Sequence, residues 1–134
     1  MRRGLARIGL RPAMLAFVGG GWIAYGQGLL AAPRSGTVRD LADITRHVPL
    51  PVLAWVWVGC GVLAVTAAVL GAPRWQAAGF TALSTPAALW GCAFLAARLS
   101  GTSTAQGSAA VWLAIAIGIA CASGLQEPIR RERP

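Results

Sequence analysis

The chain reads as an all-α integral membrane four-helix bundle with a short interfacial helix between its first two spans, and three observations predict this. The first is composition. The 134 residues are 56% hydrophobic and only 12% charged, with a mean hydropathy of +0.61, whereas a soluble domain carries about 25% charged residues. The second is spacing. Charged residues cut the sequence into four uncharged intervals, 12–33, 47–73, 75–97 and 99–126, each able to hold the roughly 20-residue helix that crosses a hydrocarbon core. The third is the sidedness of the net charge of +8. With the N-terminus inside, Arg2, Arg3, Arg7, Arg11, Arg74, Arg130, Arg131 and Arg133 fall on one side, against Arg34, Arg39, Arg46 and Arg98 on the other. The positive-inside rule therefore puts both termini in the cytoplasm.

The elements follow in order within a single membrane domain, 1–134. A first span over residues 12–32 begins behind four arginines, as a signal peptide does. Its length, its Gly19, Gly20, Gly21 interruption and an LLAAP end without an A-x-A site predict that it is retained. Between the first two spans, Thr37 and Asp40 form a capping-box pattern, and Val38, Leu41, Thr45 and Val48 recur at helical spacing. This predicts an amphipathic interfacial helix over 37–48. His47 has no partner histidine or cysteine nearby and reads as a solvated interfacial side chain.

The second span, 51–71, has Trp55 and Trp57 near one boundary and Trp75 just past the other, which reads as an aromatic belt. The very short connection to the third span, 77–97, makes the two antiparallel neighbours. A fourth span over 108–125 alternates like a strand in AIAIGIA, but the length of its uncharged run requires a helix. Glu127 and Pro128 stop it, and a charged tail, 126–134, follows.

The spans contain no Asp, Glu, Lys, Arg or His. Ion-coupled pumps and exporters need an ionisable group in the membrane. Four-span multidrug exporters use a glutamate in their first helix, where this chain offers only Tyr25 and Gln27. No nucleophile stands with a base and no paired carboxylates occur, so no enzyme activity is expected. Cys60, Cys92 and Cys121 lack metal-ligand spacing, and with one histidine outside the spans no cofactor or metal is expected. The arginines lie in the gaps between apolar segments and form no stripe, which argues for lipid headgroups and against nucleic acid.

Two features are candidate functional sites. In the third span, Thr81, Ser84, Thr85 and Pro86 interrupt the apolar run; Pro86 cannot donate to the Ala82 carbonyl, for which Ser84 and Thr85 offer substitute partners. Small residues also recur four apart, as in Ala16, Gly20, Ala24, Gly28 and in Ala110, Ala114, Gly118, Ala122. Such rows let helix backbones approach closely, within a chain or between chains, and make Gly20, Ala24, Gly28 and Gly118 the candidate packing positions.

The segment GFTALST is similar to the polar break in the third helix of four-span fluoride channels, but the membrane asparagine of that family has no counterpart, since the chain contains no Asn. The order PLPVLAWVWVGCGVLAV, AAGFTALSTPAALWG, SAAVWLAIAIGIA and a charged tail resembles small four-span membrane proteins of actinobacteria and their phages. The resemblance implies a phage or prophage origin with a lysis or envelope role. Three functions are carried forward. One is a non-enzymatic, self-associating membrane protein, holin-like in its sharpest form. The second is an accessory subunit packing on a membrane-protein partner. The third is a narrow channel or transporter centred on Pro86.

Overall fold

The computed structural model describes residues 9–32, 45, 47–101 and 106–124. Four helices occupy these residues: α1, Leu10–Ala31; α2, Leu50–Leu70; α3, Pro73–Leu99; and α4, Gln106–Ser123. The first three are long and apolar enough to cross a membrane, whereas the apolar part of α4 is shorter, Ser108–Ser123. The structure thus gives three helices of spanning length where the sequence predicts four. The expected interfacial helix, 37–48, lies outside the described residues apart from Thr45, His47 and Val48, as does the whole of the charged tail, 126–134.

Local chemistry sets the helix ends. Pro12, Pro51 and Pro73 all fall in first turns, where a helix has no use for the missing N–H. At the other end of α2, Gly71 adopts φ 68° and donates its N–H to the Ala67 carbonyl at 3.1 Å. A glycine in the left-handed region after a helix, followed one residue later by a proline that starts the next, turns the chain in two residues, Gly71 and Ala72. Gln76, buried, reaches back and donates from Nε2 to the Gly71 carbonyl at 3.1 Å. Nothing lies within 4 Å of a Cβ built on Gly71, so only backbone strain opposes a side chain there. Gly71→Ala is expected to cost about 1–2 kcal/mol, read as a lower midpoint in detergent unfolding. The α2–α3 turn also explains why α3 begins earlier than the predicted residue 77. Pro73 sets the helical φ in advance, and the 27-residue helix carries exposed Arg74 and Arg98 at its two ends.

The topology is up-down-up-down. Gly19 faces Gly61 and Gly26 faces Ala54, so α1 and α2 run antiparallel. Gly79 sits on Ala67 and Gly91 on Leu113, which makes α2–α3 and α3–α4 antiparallel too. These are close approaches: a Cβ built on Gly61 would lie 2.5 Å from the Gly19 carbonyl oxygen, and one on Gly26 would lie 2.7 Å from that of Ala54.

The interior is made of small residues and aromatic rings, with Ala54, Ala64, Ala67, Ala87, Ala109 and Ala116 buried beside Trp57, Trp90 and Phe80. Large aliphatic side chains face outward: Phe17 is 85% exposed, Val69 81% and Leu99 80%. A soluble protein places such side chains inside. Helices in lipid gain nothing by hiding them and associate through close packing of small residues instead.

Candidate functional site

Thr81, Ser84, Thr85 and Pro86, neighbours in sequence, do not form one site. Successive residues turn by about 100° around a helix, so Pro86 is buried in the core while Thr81 and Thr85 are exposed on the other side and Ser84 is half-buried. Helix α3 runs through Pro86 without a break. The Thr81 hydroxyl donates to the Ala77 carbonyl at 3.0 Å, and Ser84 and Thr85 both donate to the Thr81 carbonyl, at 3.2 and 2.8 Å. The expected service of Ser84 and Thr85 to Ala82 is therefore corrected. In a helix the hydroxyls of Ser and Thr reach the carbonyl three or four residues back, which here belongs to Thr81.

Support for the turn around the proline comes from another helix. Trp22 of α1 donates its indole N–H to the Leu83 carbonyl at 3.0 Å, in a buried setting. Leu83 lies within the turn that a proline ring crowds. Trp22→Phe keeps a ring in place but removes this donor, and is expected to cost about 1–2 kcal/mol in detergent unfolding. Pro86→Ala returns a backbone donor and is expected to leave folding intact or strengthened. An unfolded P86A bundle would show that the proline ring itself is a packing element.

The feature that sequence reasoning missed is an aromatic cluster drawn from all four helices. Trp57 of α2 is its hub, 1% exposed. Its ring centroid lies 4.9 Å from Trp22, 4.9 Å from Tyr25, 5.6 Å from Trp90 and 5.2 Å from Trp112. The pairs with Trp22, Tyr25 and Trp90 are edge-to-face, the arrangement in which a positive ring edge meets a negative face. Trp90 adds a hydrogen bond from its indole N–H to the Tyr25 hydroxyl at 3.1 Å. Assignment of Trp57 to an aromatic belt is thus wrong, because its position on α2 points it at the other three helices. Trp55 and Trp75, by contrast, are exposed. A signal was available: Trp22, Trp57, Trp90 and Trp112 each stand roughly six to nine residues from the same end of the bundle, about 9–14 Å deep.

Two cavities flank the cluster. One, of about 580 Å³, opens at the Ala31 end of α1, where Tyr25 and Trp112 meet Phe94 and Ser108. The other, of about 770 Å³, is an almost wholly apolar groove between α1 and α4. A shallower depression of about 430 Å³ on the α3–α4 side includes Ser84 and Thr85, whose hydroxyls are already bonded.

Gly20, Ala24, Gly28 and Gly118 make no close helix contact within the chain. Nothing lies within 4 Å of a Cβ built on Gly20, Gly28 or Gly118, and Ala24 is exposed. Packing inside the chain falls instead to Gly19, Gly26 and Gly61. The reason is geometric. Steps of four residues advance about 40° per step and wind around the helix, whereas the seven-residue step from Gly19 to Gly26 returns to within about 20° and stays on one contact line. The row Ala16, Gly20, Ala24, Gly28 consequently faces away from the core.

Among the described residues no three of His, Cys, Asp and Glu come together, and Cys60, Cys92 and Cys121 are separate free thiols. Comparison with family models, with curated proteins and with solved structures returns no match for this chain.

Proposed function

We propose that this is a small non-enzymatic membrane protein of four spans, with both termini cytoplasmic, that acts by lateral association of its copies in the bilayer. A holin-like or other envelope role is the sharpest form of this reading, and the resemblance to small actinobacterial and phage membrane proteins is the ground for that form. One observation carries the association itself: Ala16, Gly20, Ala24 and Gly28 are all exposed, and nothing lies within 4 Å of a Cβ built on Gly20 or Gly28. A backbone so uncovered is where another membrane helix approaches most closely.

The polar groups support association over conduction. Thr66, Thr81, Ser84 and Thr85 each donate to a carbonyl of their own helix, and Trp57 and its four aromatic neighbours fill the bundle interior at their level. Among the described residues no row of carbonyls or charges lines a path, as selective conduction requires. The same closure favours a second reading, an accessory subunit that packs on a partner and makes no pore.

Controlled expression with a membrane-potential dye separates these readings. Abrupt, all-or-none depolarisation is expected for a holin-like assembly and no change for an accessory subunit, while a slow ion-selective leak would restore the channel. Reporter fusions after Gly36 and after Pro134 are expected to report opposite compartments. A common compartment would refute the four-span topology.

A further inference from the structure

Among the described residues, α1 and α4 touch toward both of their ends, where Trp112 also lies 6.1 Å from Trp22, ring centroid to ring centroid. At one end Arg11 donates from Nη2 to the Ser123 carbonyl at 3.0 Å, with its guanidinium 5.4 Å from the centre of the Phe80 ring. Nearer the other end, Tyr25 and Trp112 stand 5.3 Å apart, centroid to centroid. Between these two contacts lies the apolar groove of about 770 Å³. Met14, Val18 and Trp22 line one side and Ile115, Gly118 and Ile119 the other. Met14 and Val18 follow Arg11 on one face of α1, and Ile119 and Ile115 precede Ser123 on one face of α4, so the arginine stands one turn beyond the mouth of the groove.

The groove is too short for a helix. From Met14 to Ala24 it runs about 15 Å along α1, half of a hydrocarbon core of about 30 Å, and it is stopped at both ends. A transmembrane helix of a second copy needs a seam that continues across the bilayer. An acyl chain of one leaflet needs half of it. The charge at the Arg11 end adds the headgroup. Arg11 meets the partial negative charge of the α4 C-terminus at the Ser123 carbonyl, and its Nε is buried without a hydrogen-bond partner. An arginine at a membrane surface in that condition suits a phosphate, which takes two guanidinium donors at once.

We propose that the α1–α4 groove holds one acyl chain of an anionic phospholipid whose phosphate is received by Arg11. This goes beyond lateral association and rests on the membrane placement above. The small-residue row faces directly outward, and the groove lies on the flank of α1 turned to α4, the two sharing Gly20 and Ala24 at the rim.

The test uses the full chain in vesicles and the quenching of its tryptophans by brominated acyl chains, Trp22 being part of the groove lining. Brominated phosphatidylglycerol is compared with brominated phosphatidylcholine in the same unbrominated background. At least a threefold stronger apparent binding of phosphatidylglycerol is expected. Arg11→Gln should bring the two lipids to parity, while Gly118→Leu, which fills the groove at a position with nothing within 4 Å, should reduce quenching by both. Near-UV dichroism of the aromatic cluster checks that each variant is folded. Equal binding by the unmodified chain, a preference that R11Q retains, or quenching that G118L leaves unchanged would overturn the proposal. A cross-linked dimer that G118L abolishes without altering lipid preference would give the groove to a second copy and overturn it equally. Protein that does not float with the vesicles would refute the membrane placement, whereas floating protein without a headgroup preference refutes only the lipid site.

Discussion

Trp57→Ala is expected to lower stability by about 3–5 kcal/mol, the largest loss of any single substitution in this bundle. Trp57 is 1% exposed and touches a ring on each of the other three helices, Trp22 and Tyr25 on α1, Trp90 on α3 and Trp112 on α4. Removing it empties the point where all four helices meet, and alanine residues nearby cannot collapse to fill the space. In lipid the loss is one of packing contacts and ring-edge electrostatics more than of hydrophobic transfer. Unfolding in mixed detergent–denaturant micelles, followed by tryptophan emission, measures it. Trp55→Ala is the matched control, because Trp55 is 62% exposed and its loss should be within about 0.5 kcal/mol of neutral. Equal effects of W57A and W55A would show that the cluster does not hold the bundle together.

Gly61→Ala is expected to be the most damaging addition of a single methyl group, at about 3 kcal/mol, near the top of the range for overpacking. The new Cβ would meet the Gly19 carbonyl oxygen at 2.5 Å and the Ile23 backbone nitrogen at 2.9 Å. Both are backbone atoms, so relief requires α1 and α2 to separate along their contact line. Gly20→Ala provides the contrast. Nothing lies within 4 Å of its Cβ, and exchange of a mid-helix glycine for alanine should gain up to about 1 kcal/mol within one chain. Thermal or denaturant midpoints in detergent distinguish the two. A G20A variant as unstable as G61A would mean that the outward row packs within the bundle after all.

The uncharged intervals made the helices and their antiparallel order legible, because the absence of charge over some 20 residues is a strong constraint on a chain in lipid. They did not tell which face of each helix turns inward. In a soluble bundle an apolar stripe marks that face. Here all faces are apolar, so small residues had to carry the signal, and α1 contains two competing sets. The four-residue row was the conspicuous set, and Gly19 and Gly26 were the ones the fold uses. The same ambiguity hid the aromatic cluster, since a tryptophan such as Trp57 near a span boundary reads as an interfacial anchor until its direction is known. At Pro86 the chemistry was legible and its geometry was not. A missing N–H was evident from sequence, but the indole donor that reaches this turn, at the Leu83 carbonyl, comes from Trp22, 61 residues away along the chain.

The claim that the outward face of α1 brings copies together is tested most directly by disulfide cross-linking in native membranes. Cys60, Cys92 and Cys121 are first replaced by alanine, and single cysteines are then placed at Gly20 or Ala24 on the row, and at Val69 or Leu89 on other exposed faces. A bond can form only where two Cα atoms come within about 7 Å. Covalent dimers are expected at Gly20→Cys and Ala24→Cys and not at Val69→Cys or Leu89→Cys. No dimer at any position, or equal yields at all four, would contradict association through this face.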